Sequence, residues 1–234
     1  MTQQPAPYAD GRLHARPEVL RQLAHHRQPP LAAGTHQLAF ADGHKAVLHV
    51  PANAGTDQRL LHLLLWLHGA GGQHGGGDHI ALAHAIRHGV LLLIPDAHGS
   101  SWDFLHGGFG TDLAFIDRLM LWTMQRYEID EQQMAIAGFS DGASYALSVG
   151  LMNGHLFRDI LAFSPGFMAP LRREGQPRVF VSHGKEDRVL AVARGAAIAQ
   201  RLAQEGYDAR YEEFDGAHIV SPPIARAALH RLEQ

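Results

Sequence analysis

Short runs in which nearly every position is apolar recur along this chain, at residues 60–67, 90–94, 134–137, 160–163 and 179–181. Runs of this length, rich in Leu, Ile and Val, read as strands buried on both faces, as in a parallel sheet. Between them the apolar positions space out at three and four, which predicts helices over 80–88, 112–127, 143–151 and 189–205. A further strand is expected at 209–214 and a further helix at 223–232. Upstream, two β-rich runs at 36–40 and 45–50 flank Ala-Asp-Gly, a hairpin signal. The first thirty-odd residues are polar and bounded by Pro, with a short helical patch at 17–26.

Alternating strand and helix define an α/β fold, with a mostly parallel central sheet and helices on both faces. The 234 residues suit one core of this kind. The expected organisation is a leader over 1–35 packed on a single domain over 36–234. Gly and Pro gather where the strands end: HGAGGQHGGG after Leu67, PDAHGSSWDFLHGGFG after Ile94, GFSDG after Ala137, SPGF after Phe163, HGKED after Ser182 and DGAH after Phe214. Ligands of parallel sheets bind beyond the carboxyl ends of the strands. Six loops of unusual chemistry are thus directed to one edge.

Composition narrows the chemistry. A formal net charge of −3 with 18% charged residues, and basic residues that form no run beyond Arg172-Arg173, argue against nucleic acid as a partner. The longest apolar run is broken by His62 and far too short to span a bilayer, so no stable membrane insertion is expected. The opening residues lack a signal-peptide core, which gives a cytoplasmic expectation. With no Cys, disulfides, thiolate metal sites and a cysteine nucleophile are excluded. Eighteen His invite a metal reading, and His84 and His88 stand four apart on an expected helix. Without HExxH or another ligand spacing, solvent-facing His is the better reading and no metal is expected.

Gly138-Phe139-Ser140-Asp141-Gly142 has the form G-x-S-x-G and lies between an expected strand and an expected helix. A serine held in a strained turn there is exposed to attack a substrate, and glycines two residues to either side let the strand and helix backbones pass closely. The bland alternative is a tight strand-to-helix turn. A serine hydroxyl needs a base, and the base needs an orienting acid. Asp187 and His218 follow in loops after later strands, giving the order Ser140, Asp187, His218, that of an α/β-hydrolase. Glu186, Asp215 and Asp96 are the competing acids, each of which can instead form a turn or cap. His183 is expected to support its loop. For an oxyanion, the N–H groups of Ala70, in the HGAGG loop, and of Asp141 are the expected donors. HGAGGQHGGG has neither the G-K-[ST] ending nor the GxGxxG spacing of a nucleotide loop.

Together HGAGG, GFSDGAS, HGKED and DGAH resemble the phospholipase/carboxylesterase branch of the α/β-hydrolases, over about residues 36–232. Within it the chain is most similar to small bacterial serine esterases, relatives of acyl-protein thioesterases and, more distantly, of feruloyl-esterase and polyhydroxybutyrate-depolymerase-like proteins. The resemblance implies an acyl-enzyme mechanism, a small-molecule ester substrate and no cofactor. Thioesterases of the group carry Gln after the nucleophile, where this chain has Asp141; this favours ester over thioester hydrolysis. Many α/β-hydrolases insert a cap before the strand expected at 179–181. Residues 164–177 are too few for one.

The long loop at 98–110 brings Trp102, Phe104, Leu105 and Phe109, which either wall a substrate pocket or seal the loop onto the core. Phe139, Phe167 and Met168 are further pocket candidates. An uncapped pocket favours short to medium acyl chains, each buried CH₂ contributing about 0.8 kcal/mol. Lysophospholipase and thioesterase activities, and a catalytically inert binding module, are the alternatives. A homodimer is allowed, because the surface pattern looks the same whether or not it pairs.

Overall fold

The computed structural model describes residues 8–16, 28–55, 60–71 and 76–233. The helical patch expected at 17–26 lies outside the described residues. Strands and helices follow in the order β1 (Gly34–Ala39), β2 (Lys45–Val50), β3 (Leu61–Leu67), α1 (Asp78–His88), β4 (Leu91–Pro95), α2 (Thr111–Met124), β5 (Ile129–Phe139), α3 (Asp141–Met152), β6 (Asp159–Phe163), β7 (Arg178–Gly184), α4 (Ala193–Gln204), β8 (Ala209–Phe214) and α5 (Pro222–His230). They build one eight-stranded sheet in the order β1-β2-β4-β3-β5-β6-β7-β8. The β1–β2 hairpin pairs antiparallel with β4 at one edge, and the strands from β4 through β8 pair in parallel.

The continuous apolar runs are resolved by the two-residue period of a strand. Leu63, Leu65 and Leu67 of β3 face one core, with Leu91, Leu93, Met134, Ile136, Ile160 and Val179, under α2, α3 and α4. Leu64 and Trp66 face the other, with Leu92, Ala135, Leu161 and Phe180, under α1 and α5. Both faces are dry, so neither needs a polar alternate position. At the amino ends of the strands, Arg178 forms a two-pronged pair with Asp159, at 2.7 and 2.8 Å, between residues that are also register partners on β7 and β6.

Two boundaries depart furthest from the sequence expectation. β5 starts at Ile129, five residues early, because Asp130–Gln133 is a polar extension and the register against β3 shifts between Leu61 and Leu63. α4 starts at Ala193, four residues late, and the Val189 and Leu190 N–H groups ahead of it meet the Asp187 carboxylate, each at 2.8 Å. A 3₁₀ turn, Asp103–His106, folds inside the long loop after β4. Between β6 and β7, residues 164–177 contain no helix; they are fastened to α3 where Gly166 N–H and Ala169 N–H donate to the Ser144 and Ser148 hydroxyls, each at 3.0 Å, and where Gly175 forms an isolated bridge to Gly154.

Residues 8–16 lie against α2 and α3. Asn153, fully buried at the end of α3, accepts from Leu13 N–H at 2.9 Å and donates to Gly11 C=O at 3.0 Å. The Asp117 carboxylate accepts from the N–H groups of His14 and Ala15, both at 2.7 Å, and from the Tyr8 hydroxyl at 2.8 Å. Asn153→Ala strands the buried Leu13 N–H, and a buried donor without a partner costs about 1–3 kcal/mol. A lowered midpoint of urea unfolding by that amount, with the far-UV spectrum retained, is the expected result.

Candidate active site

The chain turns from β5 into α3 at Ser140, which adopts φ 55°, ψ −118°, a region that non-Gly residues rarely enter. Such a conformation costs about 1–3 kcal/mol and persists only where its surroundings enforce it. Here Ser140 N–H donates to Phe163 C=O of β6 at 2.9 Å, and Ser140 C=O accepts from Ser144 N–H at 3.0 Å. The flanking glycines are dictated by backbone proximity. A Cβ on Gly138 would strike the Gly142 carbonyl, and one on Gly142 would strike the carbonyls of Leu67 and His68 at the end of β3. The second glycine thus seats α3 on β3 as well as letting the elbow close.

On this turn the Ser140 hydroxyl lies 2.9 Å from His218 Nε2, and His218 Nδ1 lies 2.6 Å from Asp187 Oδ2. Ser140 and His218 are mostly buried and the Asp187 side chain is wholly so. Asp187 Oδ1 takes the Val189 and Leu190 N–H groups. Burial pushes the Asp187 pKa up, but the Leu190 N–H, the His218 ring and the Val189 N–H favour the charged form and hold it below the ordinary aspartate value. An ionised Asp187 fixes the proton on His218 Nδ1 and leaves Nε2 as an acceptor for the serine proton. His183, buried beneath, approaches Leu190 C=O at 2.9 Å and Asp187 Oδ2 at 3.1 Å through Nε2, so it braces the loop.

The competing acids are placed elsewhere. Asp215 pairs with Lys185 at 2.8 Å on the surface, and Glu186 is exposed. Asp96 lines a cavity of about 360 Å³ with His44, Lys45, His68, Gly71 and His98.

The loop after β3 lies against the serine: a Cβ on Gly69 would sit 3.3 Å from Ser140 Cβ. Its second half, residues 72–75, lies outside the described residues. His68 Nε2 accepts from Ala97 N–H at 3.0 Å, which puts the ring proton on Nδ1, where it donates to Gly69 C=O at 2.7 Å. Gly71 N–H is taken by Ser100 C=O at 2.6 Å, while the N–H groups of Ala70 and Asp141 have no acceptor among the described residues. They remain available to a developing negative charge.

The aromatic candidates divide. Trp102 is fully buried, stacks on Tyr145 at 5.1 Å and donates from Nε1 to His68 C=O at 2.9 Å, and Phe109 is buried beside Tyr145. Phe104 and Phe167 are half-buried with centroids 5.1 Å apart, and Phe139 packs against the His218 ring at 4.7 Å. Trp102 therefore braces the loop after β3, a role the sequence did not reveal, while Phe104 and Phe167 keep exposed edges. His84 and His88 stack at 4.5 Å on α1, in a groove with α5.

A strained serine after a central parallel strand, joined through imidazole to a carboxylate two strands away, defines the α/β-hydrolase class. Comparisons with known proteins agree. The phospholipase/carboxylesterase family model matches residues 115–231, half the chain and all three of these residues, and the protein belongs to that family. A probable feruloyl esterase C of Aspergillus niger is 26% identical over 184 residues, 75% of this chain and 66% of that one. Among solved structures, a thermostable esterase superposes with TM-score 0.64 at 21% identity, over 85% of this chain and 62% of that one. The S-formylglutathione hydrolase FrmB of Staphylococcus aureus superposes with TM-score 0.66 at 13% identity, over 86% and 97%. At these identities the structures speak to the fold. Among the described residues no helix is long and apolar enough to cross a membrane.

Because the obstacle at Gly142 is backbone from another strand, Gly142→Ala should destabilise by about 1–3 kcal/mol, the usual cost of overpacking. A fall in the unfolding midpoint, unmatched by Ala substitution at the open, positive-φ-free surface position Glu212, is the measurement that checks it.

Proposed function

We propose that the protein is a serine carboxylesterase that cleaves short to medium acyl esters through an acyl-enzyme. The observation that carries this reading is the unbroken chain from Ser140 through His218 to Asp187, at 2.9 and 2.6 Å, on a serine held at positive φ. His218 Nε2 takes the proton as Ser140 Oγ attacks the ester carbonyl, and Asp187 stabilises the imidazolium without itself becoming protonated. The oxygen that gains charge is met by the N–H groups of Ala70 and Asp141. His218 then protonates the leaving alcohol, and a water, deprotonated by the same ring, releases the acid.

The half-buried faces of Phe104 and Phe167 offer an apolar seat for the acyl chain. The absence of a helix between β6 and β7 supports an uncapped entrance. Feruloyl esterase C relatives put an aromatic acyl ester on the list of substrates to test, beside lysophospholipids and acyl thioesters.

A fluorophosphonate probe should label the wild-type protein at Ser140; a folded protein that takes no label is an inert binding module. On p-nitrophenyl acetate or butyrate, Ser140→Ala and His218→Ala should lose measurable turnover. Asp187→Asn should lose about four orders of magnitude in kcat, by analogy with loss of the orienting acid in other Ser-His-Asp sites. Near-wild-type turnover in Asp187→Asn, with folding intact, refutes the assigned role of that carboxylate.

A further inference from the structure

Asp141 occupies an awkward position. It is the first residue of α3, and the serine before it makes no side-chain cap, so the first N–H groups of the helix are left open. Free N–H groups at a helix start attract anions, through both hydrogen bonding and the helix dipole. In the mechanism the anion is the substrate oxygen. Yet the Asp141 carboxylate is already attached at the same place, and first-turn carboxylates are natural partners for such groups. It is a tethered competitor for the donors the reaction needs.

The structure shows where that charge goes instead. Ser101, a buried residue of the loop after β4, donates its hydroxyl to Asp141 Oδ2 at 2.7 Å. Ser101 is itself fixed between two anchors: Ser100 C=O accepts from Gly71 N–H at 2.6 Å, and Trp102 Nε1 donates to His68 C=O at 2.9 Å. The hydroxyl that holds the carboxylate and the loop that carries Ala70 therefore belong to one unit.

We propose that Ser101 is a positioning residue for ester hydrolysis, holding the Asp141 carboxylate away from the oxyanion donors and locking the Ala70 loop to the start of α3. This rests on the reading of Ser140 as nucleophile. Without the Ser101 hydroxyl, the carboxylate turns to the N–H groups at its own helix start and repels the forming oxyanion. A neutral side chain at 141 has no such effect, so the need for Ser101 is conditional on the charge it captures.

The experiment is a double-mutant cycle at 101 and 141, read by kcat and KM on p-nitrophenyl acetate and by the rate of fluorophosphonate labelling. Ser101→Ala alone should lower kcat and the labelling rate by about tenfold or more, with KM within about threefold, the pattern of weakened transition-state stabilisation. Asp141→Asn, which keeps its backbone N–H, provides the second background, and Ser101→Ala added to it should cost less than about twofold relative to Asp141→Asn alone. An equal loss on both backgrounds assigns Ser101 a merely structural role and overturns the proposal, as does no loss on either. Should Ser101→Ala not fold, Ser101→Cys, close in volume but only a weak donor, takes its place in the cycle under the same outcomes. Wild-type protein that takes no label overturns the hydrolase reading, a result distinct from a labelled wild type with an unaffected Ser101→Ala.

Discussion

The close passage of three backbones at the end of β5 is the constraint on which the rest of the site depends. β5 must reverse into α3 within one residue, and the helix must at once lie on the end of β3. Only hydrogen at the Cα of residues 138 and 142 permits both contacts. The serine between them has no relaxed conformation left, and its positive φ is the result. Because the strain is set by the sheet and by α3, both buried on both sides, the hydroxyl is aimed before any ligand arrives. Preorganisation of this kind is where most of the electrostatic contribution to catalysis resides.

What surrounds the serine is held less by sheet than by side chains that reach across loops. The loop after β4 never pairs as a strand, yet it contacts the loop after β3 through Ala97, Ser100 and Trp102 and the start of α3 through Ser101. Below it, Asp103 and Asp112 exchange backbone N–H groups, and Tyr145 of α3 donates to Asp103 at 2.9 Å. Burial and the neighbouring Asp103 charge push the Asp112 pKa up, against the N–H groups of His98 and Asp103. Burial and the same carboxylate push the Tyr145 hydroxyl well above its usual range. The neutral phenol, which can donate to Asp103, is thereby favoured.

The alternation of apolar runs and helical spacing made the order of elements legible, because a parallel sheet buried on both faces leaves few other readings. Ser140, Asp187 and His218 were legible for a different reason: each ends or follows a strand, and the chain order of the three chemistries is restrictive. Choosing Asp187 over Glu186, Asp215 or Asp96 depended on motif position, and only geometry shows Asp215 turned outward to Lys185. The functions of Trp102 and Ser101 were hidden, since both act through contacts with residues 34 and 40 positions away. A hydrophobic pattern cannot separate a tryptophan that lines a pocket from one that props a loop; the indole N–H decides, and its partner is a backbone carbonyl.

The same reasoning explains why so much irregular chain at the sheet edge can be fixed in place. Buried N–H groups must find acceptors, and in these loops the acceptors are carboxylates rather than neighbouring strands. Asp112 takes His98 and Asp103, Asp103 takes Gly110 and Asp112, Asp187 takes Val189 and Leu190, and Asp117 takes His14 and Ala15. Each carboxylate gathers two donors that an extended or helical backbone would have pointed elsewhere. Hydrogen bonds to a charged acceptor are roughly twice as strong as neutral ones, so the loops gain definition without regular structure. Asp187 shows the consequence for chemistry most directly. The two N–H groups on Oδ1 are among the contacts that keep the carboxylate charged and leave Oδ2 directed at His218.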